Sequence, residues 1–444
     1  MQSQRDYVLR TVEERGIRFV QLWFTDVLGT SKAFNITPVE LETALDEGMT
    51  FDGSAIDGFS RVQEADVLAR PDPKTFQLLP WHGRDETVAG VYCDIFNLDG
   101  SPFEGCPRHT LRRTLERARD AGYTFFVAPE VEYFYFADAD PSHRPATLDS
   151  GSYFDLSVAD RSSELRRRTV LRLEEMGIPV EHAQHEDAPS QHEIDLRYTD
   201  ALTMADTVMT VRMVVKELAR HEGVHASFMP KPLEGVQGSG MHTHLSLWRG
   251  EENAFADPSD IYGLSPTAKR FIAGLLHHAR EITAVTNQWV NSYKRLVSGY
   301  EAPVHISWAR NNRSALVRVP VAKRARPEST RIEYRAPDSA CNPYLAFAVV
   351  LAAGLDGIEQ GYDLPAEAAA NLFAMTEEEL AVKAIQSLPS SLKEAVDEMA
   401  RSKLLVDTLG EHVFEWFIRN KRAEWDAYKA VVTPFELGRY LPSL

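Results

Sequence analysis

The feature that most constrains this fold is a set of short segments in which charged and apolar side chains alternate. Residues 129–136 read PEVEYFYF. A β-strand sends alternate side chains to opposite faces, so Glu130 and Glu132 share one face with two phenylalanines. Two carboxylates on such a face repel each other and resist burial unless another group compensates their charge. A strand end exposed to solvent would also satisfy the pattern, because glutamate is usually a surface residue.

The same alternation recurs in three later segments. In HEDAPSQHEIDL (185–196) a turn separates Glu186 from Glu193, and both are acidic. In GSGMHTHLSLW (238–248), one face of the predicted strand carries His242, His244 and Ser246. In TRIEYRAP (330–337), one face carries Arg331, Glu333 and Arg335. One such strand is normally a solvated edge. Several together predict a sheet with an apolar back and a polar, functional face.

The residue types on that face indicate a particular chemistry. Carboxylates with an occasional imidazole suit hard divalent cations such as Mg²⁺ or Mn²⁺, which would neutralise the glutamates. Interspersed arginines suit the bidentate recognition of phosphate or carboxylate. The chain has neither a GxxxxGK[ST] loop nor a GxGxxG motif, so P-loop and Rossmann phosphate binding do not apply. Taken alone, the two histidines fit hydrogen-bonded positions in a sheet equally well.

Composition excludes several classes of protein. A chain of 444 residues suggests two or three domains, and its net charge of −17 argues against a nucleic-acid partner. The cysteines Cys93, Cys106 and Cys341 are scattered, which indicates neither a disulfide framework nor a zinc site. The apolar run 344–355 is too short to cross a bilayer and predicts a buried helix. We therefore expect a cytoplasmic protein without a membrane partner.

The order of patterns predicts two domains. A short helix ending at Gly16 and several strand-like pieces precede a Gly- and Pro-rich segment at 98–108. We place the boundary there, which gives domains at 1–103 and 104–444, the second a large α/β or α+β unit. Helices are predicted over 109–122, 161–177 and 200–223, and from Ser391 toward Gly410, with a polar loop at 137–152.

Three further segments carry candidate functional residues. Residues 291–303 (NSYKRLVSGYEAP) form a predicted polar loop in which Gly299 and Pro303 flank Glu301, typical of a mobile flap or of a plain surface turn. Residues 311–320 place Arg313 and Arg318 on or beside a strand. Residues 51–61 (FDGSAIDGFSR) form a Gly-punctuated loop with Asp52 near its start, which is also the pattern of an ordinary Asp-Gly turn.

Seven ordered motifs give the chain an almost end-to-end resemblance to the type I glutamine synthetases of the non-adenylylated subgroup. They are FDGSAI, PEVEYF, the Glu186 and Glu193 block, GSGMHTHLSL, NSYKRL with GYEAP, NRSALVR, and RIEYR with CNPYL. The resemblance implies an α+β protein with a β-grasp N-terminal domain and a catalytic domain that forms an antiparallel-sheet funnel with surrounding helices. It also implies a dodecamer of two hexameric rings, with each site formed between neighbouring subunits.

The resemblance assigns roles to individual residues. The ligands of a first metal would be Glu132, Glu186 and Glu193, and those of a second Glu130, His242 and Glu333. The nucleotide would contact Arg313, Arg318, His244 and Ser246. Glutamate and the amine would contact Arg295, Arg335, Gly238, Tyr153 and Glu186. Catalysis would involve Asp52 of a neighbouring subunit as the base, Glu301 as the flap residue and Arg335 facing the transferred phosphoryl group.

The implied reaction joins ammonia to the γ-carboxylate of glutamate at the expense of ATP, with two or more Mg²⁺ or Mn²⁺ ions per site. Departures from the family pattern are Ala55, where a second serine is usual, and Gln237, where asparagine is common. The wording of LWFTDVLG and NQWVNSYKRL also resembles actinobacterial paralogues that join glutamate to polyamines or other amines. A polyamine or ethanolamine is therefore the alternative substrate, although ammonium is favoured.

Other classes of protein fit less well. A relative without catalysis would lack metal ligands or the flap glutamate, and a metal-dependent hydrolase would not need Arg313 and Arg318.

Phe373 stands where some relatives carry an adenylylated tyrosine, so that control is expected to be absent. Arg61 matches an arginine linked to feedback inhibition by glutamine. The basic segment 321–330 either contacts the nucleotide or balances the acidic surface, and the second interpretation is favoured.

Overall fold

A computed structural model describes residues 2–59, 66–81, 87–156, 162–310, 312–321, 326–368 and 372–444. Two sheets organise these residues, one of six strands and one of ten. Helices cover the apolar side of each sheet, and the expected α+β class is confirmed. Arg61 and residues 322–325 of the basic segment lie outside the described ranges.

The first sheet belongs to the first hundred residues. Its strands are β1 (Phe19–Thr25), β2 (Ser31–Ile36), β3 (Met49–Asp52), β4 (Asp66–Pro71), β5 (Gln77–Leu78) and β6 (Val88–Phe96). The strand order is β2-β1-β6-β4-β3, with β5 against β6, and β1 runs parallel to β6. Helices α1 (Gln2–Glu14) and α2 (Pro38–Asp46) flank this sheet. Asp52 is the last residue of β3, so it opens the predicted loop from a strand end.

The second sheet carries the predicted polar face. Its strands are β7 (Thr124–Phe136), β8 (Val180–His185), β9 (Gln191–Leu196), β10 (Thr199–Asp200), β11 (His225–Ser227), β12 (Met241–Arg249), β13 (Glu252–Asn253), β14 (His305–Ala309), β15 (Ala315–Arg318) and β16 (Ile332–Tyr334). The main order is β14-β15-β16-β12-β7-β9-β8, which puts the long β7 near the middle. The pairs are antiparallel, as expected, except β14 with β15 at one edge, which run parallel.

Most of the helices after the first sheet contribute to the apolar core behind the second sheet, and the last of them has no buried residue. These later helices are α3 (Pro107–Asp120), α4 (Ser163–Glu175), α5 (Ala201–His221), α6 (Pro266–His277), α7 (Ala279–Thr286), α8 (Ser292–Arg295), α9 (Pro343–Gln360), α10 (Glu377–Val382), α11 (Leu392–Met399), α12 (Lys403–Leu409), α13 (Glu411–Lys429) and α14 (Pro434–Tyr440). The apolar run 344–355 lies inside α9 and is buried, as predicted. Among the described residues, the helices are too short or too polar to cross a membrane.

Two predicted segments differ from the structure. The helix expected from Ser391 to Gly410 is two helices, because the chain leaves α11 at Ala400 and restarts at Ser402. The Ser402 hydroxyl accepts a hydrogen bond from the Leu405 amide at 3.2 Å and caps α12. The predicted loop at 291–303 is also partly helical, since α8 occupies its first part.

Candidate active site

The register of the second sheet gathers charged side chains from four strands on one face. Where β7 pairs with β12, Glu130 lies opposite His242. Where β12 pairs with β16, His244 lies opposite Glu333. Facing residues in an antiparallel pair have Cβ atoms about 4.5–5.5 Å apart, close enough for their side chains to interact. One ligand atom each from Glu130, His242 and Glu333 lies within 4.8 Å of the others, so these three side chains could share a cation.

On the other side of β7, the same register pairs more carboxylates. Glu132 lies opposite Glu193 of β9, and Glu130 lies opposite Asp195. Glu186 follows directly after β8 and lines the same cavity as these residues. The two predicted ligand sets therefore open into one space rather than into separate sites.

We call this space the acidic cavity. Its volume is about 260 Å³. Its lining is polar and strongly charged, and consists of Glu130, Glu132, Tyr153, His182, Gln184, Glu186, Glu193, Asp195, His242, Glu301, Arg313, Arg318, Glu333 and Arg335. All six predicted metal ligands are in this set, together with the predicted flap glutamate and three of the predicted arginines.

Burial makes the carboxylates of the cavity hard to ionise together. Glu132 is only 8% exposed, which excludes the reading of this strand end as solvated. Burial, together with nearby Glu186, raises the pKa of Glu132 to about 7. Burial and the charges of Asp195 and Glu132 raise the pKa of Glu193 well above its usual value. A wall of this kind favours a bound cation, which would replace the protons that otherwise neutralise it.

Glu130 behaves differently because it faces two imidazoles. His242 Nδ1 lies 3.2 Å from Glu130 Oε2, and His244 Nε2 lies 2.8 Å from Oε1. Burial opposes ionisation here too, but hydrogen bonds from His242 and His244 outweigh it and lower the pKa of Glu130 well below its usual value. Glu130 is thus held as a carboxylate at the centre of the polar face.

A second layer of hydrogen bonds orients the buried carboxylates of the cavity. The Gln191 amide donates to Glu132 Oε2 at 3.0 Å, and the backbone N–H of Gly240 donates to the same oxygen at 2.8 Å. The Gln184 amide donates to Glu193 Oε2. These donors fix the direction of each carboxylate before any ligand arrives.

A buried trio behind the cavity has the same supporting character. Ligand atoms of Asp149, His185 and His192 lie within 4.8 Å of one another. His192 Nδ1, however, lies 2.7 Å from a guanidinium nitrogen of Arg166, which can only donate. The proton of His192 is therefore on Nε2, where it prevents metal ligation. His185 Nε2 lies 2.9 Å from Asp149 Oδ1, and His185 directly precedes Glu186, so the trio holds the backbone beside this predicted ligand.

Arginines close the other wall of the cavity. Arg318 and Arg335 approach Glu333 at 2.7 Å and 3.0 Å. Arg313 lies 3.6 Å from the carboxylate of Glu301, and Arg335 donates to the Glu301 carbonyl at 3.3 Å. The predicted flap therefore rests on arginines that also line the cavity, which places positive charge where an anionic group would sit.

A second cavity of about 360 Å³ adjoins the first and shares Glu130, His182 and Asp195 with it. His244 and Ser246, both predicted to contact the nucleotide, line it with Trp248 and Tyr198. Part of the basic segment, from Arg326 to Thr330, lines it as well, apart from Pro327. This position fits the alternative that the segment contacts the nucleotide, and the balance of surface charge stays a prediction.

Some predicted residues do not reach either cavity. Asp52 is exposed, and its carboxylate accepts a hydrogen bond from the Ser54 amide at 2.8 Å. Arg295 is 2% exposed and donates to the carbonyls of Ala336 and Pro337 at 2.8 and 3.3 Å. The Gly238 carbonyl accepts from Gln191 at 3.1 Å behind Glu132. Arg295 and Gly238 thus form the layer beneath the cavity.

Asp195, His182 and Gln184 line the acidic cavity but were not among the predicted site residues. Asp195 lies 2.8 Å from His182, and burial and the charge of Glu130 raise the pKa of Asp195 to about 9. The sequence could have predicted Asp195, because it follows Glu193 by two positions in a strand and therefore lies on the same face. His182 and Gln184 lie in β8, whose short polar sequence had no alternation to mark it.

Comparison with known proteins agrees with this geometry. The family model "Glutamine synthetase, catalytic domain" matches residues 104–440, and "Glutamine synthetase, beta-Grasp domain" matches residues 16–98. The glutamine synthetase of Mycolicibacterium smegmatis is 55% identical over 447 residues, which cover 99% of this chain and 100% of that protein.

Solved structures share the whole fold. A GmaS/ADP complex superposes with a TM-score of 0.88 at 34% identity, covering 98% of this chain and 99% of that one. The glutamine synthetase of Plasmodium falciparum superposes with a TM-score of 0.90 at 26% identity and covers 98% of both chains. The expected β-grasp and catalytic domains and the expected class of ATP-dependent ligase are confirmed. The chain belongs to the glutamine synthetase family.

Proposed function

We propose that this protein ligates ammonia to the γ-carboxylate of L-glutamate, with ATP as co-substrate and γ-glutamyl phosphate as the intermediate. The products are glutamine, ADP and phosphate. The observation that carries the proposal is the pair of adjoining cavities with Glu130 between them. The acidic cavity is lined by the predicted cation ligands and by Arg313 and Arg318, and the second cavity by His244 and Ser246. A nucleotide in the second cavity would therefore direct its phosphates toward the charged wall.

The donor set fits divalent cations. Carboxylates and one imidazole are ligands that Mg²⁺ and Mn²⁺ accept. The pKa values of Glu132 and Glu193 are raised because the buried negative charges have too little positive charge near them, and a bound cation would supply it. Glu132, Glu186 and Glu193 would hold one ion, and Glu130, His242 and Glu333 the other. When bound, the ions would supply neutralisation of the phosphate charge.

The protein's own side chains supply the remaining functions. Arg313 and Arg318 would bind the nucleotide phosphates with His244 and Ser246. Arg335 would stabilise charge on the phosphoryl group as it moves to the γ-carboxylate, because its guanidinium lines the cavity beside Glu333.

The glutamate substrate would lie against the layer formed by Arg295 and Gly238, and the ammonium in the pocket of Glu186, Tyr153 and Glu301. Burial and the charges of Glu186 and Glu193 raise the pKa of Tyr153 to about 12, so its hydroxyl stays protonated beside the cation. Glu301 would close the site over the acyl phosphate and exclude water.

Asp52 of a neighbouring subunit would be the base that deprotonates the ammonium. Its exposure, and its absence from both cavities of its own chain, support a site completed by a second chain. The two-ring dodecamer is inferred from the resemblance to the glutamine synthetase family. We also keep the division into 1–103 and 104–444, which is supported by the separate family matches over residues 16–98 and 104–440.

The alternative amines are not favoured, because the full-length curated relatives at 46–55% identity are glutamine synthetases. The test is phosphate release by the purified protein with ATP, Mg²⁺ and glutamate, in parallel with ammonium, putrescine, spermine and ethanolamine. Mass spectrometry should identify glutamine from the ammonium reaction. Turnover only with a larger amine would overturn the proposal and make Ala55 part of a remodelled pocket.

Glu301→Ala tests the flap assignment. We expect ATP binding to be retained, while amide formation falls at least about tenfold and phosphate release continues through hydrolysis of the acyl phosphate. The matched control is Glu251→Ala, an exposed glutamate on the turn between β12 and β13. An amide yield equal to that of the unmodified protein would refute the assignment.

A further inference from the structure

Lys231 occupies the junction between two segments that the proposed reaction must coordinate. One is the loop of residues 229–240, which carries Gly238 and leads into β12. The other is the flap, defined here as residues 297–303 around Glu301. Both segments lie beside the buried layer of Arg295, so movement of either one reaches the glutamate side of the cavity.

The backbone of Lys231 is fixed in place. Its N–H donates to Asn291 Oδ1 at 2.7 Å, and its carbonyl accepts from Asn291 Nδ2 at 3.1 Å. Asn291 immediately precedes α8, the helix that ends with Arg295. The neighbouring Pro230 carbonyl accepts from Ser239 N at 2.9 Å and closes the loop on itself.

The side chain of Lys231 connects the loop to the flap. Its ammonium donates to the Val236 carbonyl within the loop. The same nitrogen lies 4.0 Å from the centre of the Tyr300 ring, a distance at which a cation is attracted to the face of an aromatic ring. Tyr300 directly precedes Glu301, whose backbone is in the left-handed region at φ 58°. One cation thus touches both the substrate loop and the residue next to the flap carboxylate.

We propose that Lys231 is a positioning residue that latches the flap to the 229–240 loop through the Tyr300 ring. The inference rests on the proposed function, since it needs Glu301 to guard an acyl phosphate. Glutamate seated against the loop would hold Lys231 in place, and Lys231 would hold Tyr300 and therefore Glu301 over the cavity. Loss of the latch would leave phosphoryl transfer intact but let water enter.

The chemical consequence is specific. The γ-carboxylate of glutamate takes the γ-phosphoryl group of ATP and releases ADP. Water then attacks the acyl carbon in place of ammonia, the bond from that carbon to the phosphate oxygen breaks, and glutamate and phosphate are released. ATP is consumed without amide formation, so the ratio of phosphate to glutamine measures how well the flap is held.

The experiment measures that ratio in the full-length protein for Lys231→Met, which keeps the length of the side chain without its charge, and for Tyr300→Leu. The unmodified protein should give a ratio of phosphate to glutamine near one. In each variant this ratio should be at least about threefold higher. Tyr300→Phe should raise the ratio less than Tyr300→Leu, because the ring remains. The double variant should not exceed the larger single effect, since both changes break one contact.

A second readout separates the latch from general damage to the loop. Lys231→Met also removes the bond to Val236, so its KM for glutamate should rise, whereas Tyr300→Leu should raise the ratio with little change in that KM. Lys216→Met is the matched control: this lysine of α5 lies 5.6 Å from the ring of Phe228, so it also places a cation over an aromatic ring, but it has no contact with Tyr300. If Lys231→Met fails to fold, the comparison of Tyr300→Leu with Tyr300→Phe decides.

The outcomes are distinguishable. An unmodified protein that makes no glutamine contradicts the proposed function itself. A protein that makes glutamine, but whose ratio stays near one in Tyr300→Leu or rises equally in Lys216→Met, overturns the latch alone. Elevated ratios confined to the Lys231 and Tyr300 variants support it.

Discussion

Single residues decide how closely the glutamate side of the site can pack. A Cβ atom added at Gly240 would lie 2.5 Å from a guanidinium nitrogen of Arg295 and 3.3 Å from His242 Nε2. The Gly240 N–H is also a donor to Glu132. The position therefore needs glycine because both Arg295 and His242, a proposed metal ligand, approach the backbone.

Gly240→Ala should displace Arg295 and cut kcat/KM for glutamate by about a hundredfold, as misplacements of about 1 Å do. Steady-state kinetics with varied glutamate would measure it. Gly438→Ala, where an added Cβ meets nothing within 4 Å, is the matched control and should leave the kinetics unchanged. Equal kinetics in both variants would contradict the packing argument.

Residue-level electrostatics also predicts how pH affects cation binding. Because burial raises the pKa of Glu132 to about 7, a proton and a cation compete for this side chain. The metal-free protein should lose stability as pH rises from the ordinary glutamate pKa toward 7, since the folded state holds the proton longer than the unfolded chain does. Added cation should offset that loss increasingly as pH rises.

Thermal unfolding with Mg²⁺ or with a chelator, at pH 6 and pH 8, tests this. The increase in Tm caused by Mg²⁺ should be larger at pH 8, and Glu132→Gln should reduce the difference between the two pH values. An equal increase at both pH values would show that proton and cation do not compete there.

At the scale of elements, His278 joins three helices that support the sheet. It lies in the bend between α6 and α7, 2.9 Å from Asp356 of α9 and 3.2 Å from Glu281 of α7. Glu281 also accepts from Ser402, the capping residue of α12. Burial lowers the pKa of His278, but the hydrogen bonds to Glu281 and Asp356 outweigh it and raise the pKa above its usual value.

The raised pKa means that His278 stabilises the fold fully below the ordinary histidine pKa of about 6.5, and that this contribution is lost as pH rises through the folded value. His278→Gln should therefore lower Tm more at pH 6 than at pH 8.5. His221→Gln, at the exposed end of α5, controls for loss of a surface histidine. A Tm loss independent of pH would contradict the argument.

At the scale of the whole molecule, one buried cation ties the first sheet to the second domain. Arg108 of α3 is 4% exposed and lies 2.9 Å from each of Asp72, Asp94 and Asp206. Asp94 is in β6 of the first sheet and Asp72 directly follows β4, whereas Asp206 is in α5. Removing the guanidinium leaves buried carboxylates without their main partner.

Arg108→Met should therefore destabilise the protein by about 3–5 kcal/mol, the usual result of breaking a buried ion pair from one side. Urea unfolding would measure the change. Arg108→Met with Asp206→Asn should recover part of it, and Arg119→Met, an exposed arginine 3.9 Å from Glu116, should cost less than about 1 kcal/mol. A small loss in Arg108→Met would show that the junction does not depend on this cluster.

The strands of the polar face were predictable because their periodicity is local. Alternation in 129–136 and 238–248 sets which side chains share a face, and Glu132 and His242 lie where that rule puts them. The break between α11 and α12 was not predictable, because Ser402 is held there by Glu281, a residue 121 positions away. Tertiary contacts of this kind override a local helix pattern.

By itself, the sequence determined the two-sided strands, the kinds of ligand on them and, through its ordered motifs, the family. Only the tertiary structure decided which ligands meet, because strand register joins residues far apart in the chain: Glu130 to His242, and His244 to Glu333. It also decided the ionisation of Glu132 and the contact of Lys231 with Tyr300, since burial and neighbours, rather than residue type, set both.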